Sequence, residues 1–382
     1  MTLKVLYTAR APFISGAERA LLSMLRHRPR PRPRPRNGRG GDVEARLVLG
    51  HDTKLVTLAR QIDVPVDIAA FPKRSKFGFF VWRRSVRRLE RIIREFQPDI
   101  LHANDVPSAQ AMSVLGARLG IPRVVHVRWG ITGRDLAWWA RAGAEHIICI
   151  SQWVKDQLGD RSDTPLARSA IDILPDAVDW PAAQGTPAPG QSEILNLQSE
   201  ITLGFAGQLI PAKGLDLVIE ALGLLPPPAR PRLLIAGEDT QAQGAYKAQL
   251  QALAQTRGVA DRIEWLGFLP HVSDLYKQVD VVVCPSRVEP LGLVPLEAAE
   301  FSRPALANRI GGLAETIVDG QTGWLVEPTP AAWAQALTQL TDRPALARLG
   351  ANAHARAAEI YTPGVYWDKL LDIYNAAARS DV

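Results

Sequence analysis

Cysteine is nearly absent from this chain: two residues, Cys149 and Cys284, stand far apart inside apolar runs. Neither a disulfide framework nor a thiolate metal site can be built from them, and both read as buried thiols of a reducing compartment. Long apolar runs are missing too. None approaches the ~18 residues of a membrane span, and the opening "MTLKVLYTAR" has neither the apolar core nor the cleavage site of a secretory leader. Acidic residues are scarce in the first half. Residues 1–185 carry 30 Lys+Arg against 18 Asp+Glu, whereas residues 186–382 carry 15 against 21. A basic half joined to an acidic one implies an anionic partner, and nucleic acid and anionic membrane both qualify on charge alone. No recognition motif accompanies the arginines, which sets nucleic acid aside.

What remains is the composition of a soluble globular protein, 47% apolar and 22% charged, in 382 residues. That length suits about two domains. Strand-like segments "LKVLYTA", "ARLVLG", "PDILHA", "RVVHVR" and "HIICIS" alternate with helix-like ones, beginning with "SGAERALLSMLR", where Ser15 and Glu18 have capping-box spacing. Such βαβ alternation builds a parallel sheet with helices on both faces. The Pro- and Gly-rich "DWPAAQGTPAPGQSE" reads as a linker, and the pattern then restarts with "ITLGFAG", "RLLIAG", "IEWLG", "VDVVVCP", "PALAN" and "GWLV". Residues 1–186 and 187–362 are therefore expected to form two doubly wound domains. An amphipathic helix within 363–382 could pack on either and is assigned to the N-terminal one. The low-complexity run "RPRPRPRPRNGRGG", Arg28 to Gly41, favours extended polyproline II and reads as a solvated loop, a slippage insertion without function, with an anion-binding arm as the alternative.

The stretch "PSRVEPLGLVPLEAAEF", Pro285 to Phe301, holds two glutamates, Glu289 and Glu297, around a Gly/Pro-punctuated turn. In a doubly wound sheet, ligands bind beyond the C-terminal strand ends, and the apolar "VDVVVC" ends just before this turn. A helix starting near Gly292, with Pro295 in its first turn, leaves the amides of Gly292, Leu293 and Val294 as donors for an anion, phosphate being the usual occupant. Two carboxylates flanking a phosphate site suit hydroxyl groups on either side of it, as in a sugar.

With this stretch the chain resembles the retaining nucleotide-sugar glycosyltransferases of family 4 type, whose GT-B architecture has two facing Rossmann-like doubly wound domains and an interdomain cleft. "EPLGLVPLEA" is similar to their E-x7-E signature, and "GQLIPAKGLDLVIEAL", "LLIAGE", "RIEWLGFLPHVSDLYKQVDVVVCPS" and "IGGLAETIVDGQTGWLV" follow in register. The resemblance implies that Glu289 contacts the donor sugar and Glu297 the ribose hydroxyls. The backbone of Gly292 and Leu293 would hold the diphosphate, with Lys213 as a point charge on it, since the leaving group needs charge stabilisation most. Gly207, Gln208, Gly237 and Glu238 complete the implied donor site. Gly16 and His102 fall on the acceptor side or cleft.

Several positions depart from the family pattern. Gln208 stands where an arginine usually helps neutralise the diphosphate, and glutamine carries no charge. Arg287, Arg309 and Arg128 are the candidates to substitute. Ser15-Gly16 replaces Gly-Gly. A histidine beside the donor sugar corresponds to Arg128, with His126 two residues before it on the same strand face. Both stay candidates, a core histidine being the bland reading of His126. No Asp-x-Asp metal clasp occurs in the sequence, so transfer without a metal or other cofactor is implied, with retained anomeric configuration.

The segment Lys73 to Phe96 is basic and aromatic. Arg83, Arg84, Arg87, Arg88, Arg91 and Arg94 form a positive helix face with Phe77, Phe79, Phe80 and Trp82 at its start, the make-up of an interfacial helix. The expected partners are a nucleotide-sugar donor and a glycan or lipid-linked acceptor, with peripheral contact to an anionic membrane. The expected location is the cytoplasm, at the inner face of the plasma membrane, in surface polysaccharide or glycolipid biosynthesis. A catalytically degenerate relative that binds nucleotide or glycan without turnover is the alternative.

Overall fold

A computed structural model describes residues 2–12, 16–30, 41–72, 79–179, 200–240 and 242–379. The chain divides into two compact units, residues 1–178 with 362–382, and residues 179–361. The linker and the boundary at 186 lie outside the described residues, as do Ser15, Phe77 and most of the Arg-Pro run.

Seven strands form the first sheet: β1 Leu3–Ala9, β2 Val43–Leu49, β3 Val66–Ile68, β4 Ile100–Ala103, β5 Arg123–Val127, β6 His146–Cys149 and β7 Ala170–Ile173. Their order is β3-β2-β1-β4-β5-β6-β7, every pairing parallel. The second unit has six: β8 Thr202–Ala206, β9 Arg232–Ala236, β10 Ile263–Gly267, β11 Val281–Cys284, β12 Ala305–Asn308 and β13 Gly323–Val326. These run β10-β9-β8-β11-β12-β13, again all parallel. In both sheets the order reverses beside the first strand of the unit, between β1 and β4 and between β8 and β11. This is where a doubly wound sheet opens a crevice.

The central strands are near-continuous apolar runs because helices cover both faces. β11 reads Val-Val-Val-Cys, all buried. Two strands were not foreseen from the sequence. β3 spans three residues and β7 has no fully buried position, so neither carries a periodic apolar signal.

The C-terminal helix Pro363–Arg379 belongs to the first unit. Its Tyr366, Trp367, Leu370 and Tyr374 join the core around Val5, Tyr7 and Leu25, and the Trp367 indole donates to the Met24 carbonyl at 2.9 Å. Arg28, read from sequence as the start of a solvated loop, is instead buried. Its guanidinium donates to the carbonyls of Leu25 (2.7 Å), Ile62 (3.0 Å) and Asp63 (2.7 Å), tying two helix ends together. Both cysteines are buried and free, and burial pushes the Cys149 thiol up to about 12.

Candidate active site

In the second unit, four loops leave the C-terminal ends of adjacent strands and are held together by glycine and main-chain contacts. After β8, Gly207 runs so close to Gly237, at the end of β9, that a Cβ on Gly237 would lie 1.9 Å from the Gly207 carbonyl oxygen. The Leu209 amide donates to the Glu238 carbonyl at 3.0 Å. Gly207, Gln208, Gly237 and Glu238 thus form one rim, with the side chains of Gln208 and Glu238 exposed.

The turn Pro211–Lys213 follows, closed by Gly214 at φ +66. A side chain on Gly214 would strike the Pro285 carbonyl at 2.0 Å, so the turn can rest on the strand end only with glycine there. The Arg287 amide donates to the Ala212 carbonyl at 2.8 Å and fixes the register of the two loops. In this arrangement the Lys213 ammonium meets Glu289 Oε2 at 2.6 Å, and the Ser286 hydroxyl donates to the same oxygen at 3.3 Å.

Behind the loop, Asn308 at the end of β12 is fully buried. Its amide donates to the carbonyls of Pro285 and Ser286 at 2.7 and 2.9 Å, and its own oxygen accepts from the Trp333 indole at 2.7 Å. The Gly312 amide donates to the Glu289 carbonyl at 2.8 Å. Residue 289 is therefore held at its main chain and at its carboxylate.

Helix Leu293–Glu300 begins directly after Gly292, and no side chain caps its start. It carries Glu297, half-buried, whose Oε2 accepts the Tyr276 phenol at 2.8 Å. One buried sulfur reports how these charges converge. Burial pushes the Cys284 thiol far up, the charges of Glu289 and Glu297 raise it further, and Lys213 opposes them.

None of the three arginines expected to replace the missing one has an uncommitted guanidinium. Arg287 donates to both oxygens of Asp216 at 2.9 and 2.6 Å and to the Pro211 carbonyl at 2.7 Å. Arg309 is held by Asp319 at 2.5 Å and by the Leu325 carbonyl at 2.9 Å. Arg128, in the first unit, grips Asp176 through two nitrogens and donates to Asn104, all buried. Expecting them to substitute rested on charge alone. Each is instead paired with an aspartate, and residue type alone did not say which.

The remaining candidates of the first unit are divided between surface and core. Gly16 is the exposed first residue of helix Gly16–Arg26. His102 and His126, on β4 and β5, are 0% exposed with rings 5.6 Å apart. His102 Nδ1 pairs with the Tyr374 phenol at 2.6 Å, and neither nitrogen of His126 has a hydrogen-bond partner. Burial and the nearby Arg128 charge depress the first to about 3 and the second in the same direction. Of the two readings left open for His126 the structure has the core one, and His102, expected on the acceptor side or cleft, is packed inside the sheet layer beside it. Tyr276, Ser286 and Asn308 were missed. Only Asn308 gave a signal, a lone amide ending an otherwise apolar strand.

Two family models match. Glycosyl transferases group 1 covers residues 191–356 and Glycosyltransferase Family 4 covers residues 44–179, together most of the chain. The glycogen synthase of Mycobacterium tuberculosis is 28% identical over 75% of this chain and 71% of its own length. The D-inositol 3-phosphate glycosyltransferase of Mycobacteroides abscessus is 29% identical over 82% and 72%. Among solved structures, Anabaena HepE in complex with UDP aligns with a TM-score of 0.80 at 20% identity, covering 98% of this chain and 100% of that one. A Rickettsia africae glycosyltransferase aligns with a TM-score of 0.80 at 17% identity, covering 99% of each.

Proposed function

The chain belongs to the group 1, family 4 glycosyltransferases of GT-B fold, and from that premise we propose that it moves a sugar from a nucleoside-diphosphate donor to a glycan or lipid-linked acceptor, with retention and without a metal ion. The observation that carries the reading is the Lys213–Glu289 pair on the loops after β8 and β11, next to the helix start that Gly292 opens and that carries Glu297. A nucleotide-sugar donor is supported by the Anabaena relative, whose solved complexes contain UDP and UDP-glucose.

In this reading the diphosphate lies over the amides that open helix Leu293–Glu300, where the helix dipole favours an anion. Lys213 turns from Glu289 to the phosphate and neutralises charge as the sugar–phosphate bond breaks. Glu289, released, accepts hydrogen bonds from sugar hydroxyls, and Glu297 accepts from the ribose. The acceptor hydroxyl attacks from the face the diphosphate leaves. A leaving phosphate oxygen takes its proton, so no carboxylate base is needed.

Contact with an anionic membrane belongs to the same proposal. In helix Phe79–Phe96 the residues Val86, Leu89, Ile93 and Phe96 are buried. Arg84, Arg87, Arg88 and Arg91 are exposed beside Phe80 (82%) and Val81 (57%), along a groove of about 750 Å³. Basic side chains over an apolar tip suit anionic headgroups and the acyl boundary. At about 1 kcal/mol per arginine near such a surface, replacing these four by glutamine is expected to abolish co-sedimentation with phosphatidylglycerol vesicles. Undiminished co-sedimentation removes the membrane from the proposal.

The deciding experiment is a hydrolysis and binding screen against UDP-, GDP- and ADP-sugars with EDTA present. Slow release of one nucleoside diphosphate, lost in Glu289→Ala and Lys213→Ala, is the expected result. The uncharged Gln208 favours a second reading as a nucleotide-binding relative without turnover. Binding without release, and release restored by Gln208→Arg, would establish that one instead. Failure to bind any donor would overturn the site assignment.

A further inference from the structure

Tyr276 ends the short helix Ser273–Tyr276 and is 1% exposed. A buried phenol must direct its O–H to a partner, and here the partner is Glu297 Oε2 at 2.8 Å. Packing holds the ring in place. It lies against Phe301, centroids 5.8 Å apart, inside the cluster of Leu275, Val279, Cys284 and Ala298. The Tyr276 carbonyl is held by Arg303 Nε at 3.0 Å. Phe301 and Arg303 both follow directly on the helix that carries Glu297, so one helix end sets the position of phenol and carboxylate together.

We propose that Tyr276 is a positioning residue for nucleotide selection: by pinning one oxygen of Glu297 it makes the site prefer a ribonucleotide over its 2′-deoxy counterpart. The inference rests on the reading of Glu297 as the ribose-binding carboxylate. A glutamate on a helix surface has three rotatable bonds, and freezing such a side chain on binding costs affinity. Tyr276 fixes the carboxylate plane before any ligand arrives. A vicinal diol supplies two O–H donors that must meet the carboxylate in one geometry, whereas a 2′-deoxyribose supplies one and tolerates rotation. Pre-orientation therefore favours the diol selectively, and removing it reduces the difference between the two sugars.

The test is titration calorimetry with whichever nucleoside diphosphate the donor screen identifies and with its 2′-deoxy form. Wild type is expected to bind the ribonucleotide at least about tenfold more tightly, the effect of one hydrogen bond to a charged group. Tyr276→Phe keeps the ring and its packing, and is expected to reduce that ratio to about threefold or less by weakening the ribonucleotide alone. In a Glu297→Gln background the same change should have no further effect on the ratio if the phenol acts on selectivity through this carboxylate, and a further fall would overturn the inference. An equal fall in both affinities in Tyr276→Phe, with the ratio kept, would mean a merely structural phenol and overturn the inference. So would a wild type without ribose preference. Absence of all nucleotide binding would instead overturn the donor-site reading, and this inference with it.

Discussion

The two units use the same sheet topology and treat charge in opposite ways. By position in the sheets β4 corresponds to β11 and β5 to β12. In the first unit titratable side chains sit within these strands, at His102 and His126, with Arg128 one residue beyond. A parallel strand is covered on both faces, so they are enclosed: both histidines are fully buried, and Arg128 spends its donors on Asp176 and Asn104. In the second unit β11 is wholly apolar, and the loops after β8 and β11 carry Lys213 and Glu289, whose side chains stay 30% and 17% exposed. The lesson is that charge enclosed by the sheet layers is met by a buried partner or held neutral, whereas the pair carried on the loops keeps part of its surface exposed.

This contrast can be broken most directly in the loops. Lys213→Ala and Glu289→Ala are each expected to lower kcat/KM for donor turnover by about 10²–10³-fold, the range for removing one preorganised electrostatic partner. Their melting temperatures should change little. A variant that unfolds but retains turnover per folded molecule would place the pair among scaffold groups, as in the first unit.

The strand histidines should behave in the opposite manner, with stability as the readout. Both are held below the free imidazole value by burial, His102 to about 3. The unfolded chain therefore binds more protons than the folded one below about pH 6.5, and stability is lost as pH falls from there toward 3. With two such groups the slope approaches about 2.7 kcal/mol per pH unit. Urea midpoints measured between neutral and mildly acidic pH test this, and His126→Phe should flatten the slope. A flat wild-type profile would show that the rings are not buried neutral.

Glu300 sharpens the comparison with the reverse sign. Burial, then the charges of Glu297 and Asp179, push its carboxyl up to about 7. Here the folded state binds the extra proton, so stability declines as pH rises from the ordinary carboxyl range through 7. Half-buried and screened, it is expected to matter by no more than about 1 kcal/mol. Glu300→Gln should raise the melting temperature at mildly alkaline pH and leave it unchanged in acid.

The smallest expected effect concerns the Arg287–Asp216 clamp that fixes the Lys213 turn. Because this pair is partly exposed, Arg287→Met should cost about 1 kcal/mol or less in stability. It is expected to raise the donor KM by about three- to tenfold through misplacement of Lys213. An unchanged KM would show that Gly214 and the Ala212 contact hold the turn unaided.

Much of this was legible in the sequence, because its causes are local. Apolar runs of strand length give the central strands, Gly292 ahead of a proline-containing first turn marks a helix start, and the spacing of Glu289 and Glu297 puts two carboxylates around it. Glu289 and Glu297 around the Gly292 turn follow from residue type and order, and Lys213 joined them through the family resemblance. Partnership was not legible. Arg287, Arg309 and Arg128 looked equally available, yet each is neutralised by an aspartate 71, 10 or 48 positions away. Tyr276 carried no signal in the sequence, and its phenol meets Glu297 across 21 positions. A hydrogen bond or ion pair depends on angstrom distances between segments that only the packed sheets bring together. The sequence by itself determined which chemical groups stand at the strand ends, and tertiary packing decided which of them pair with one another.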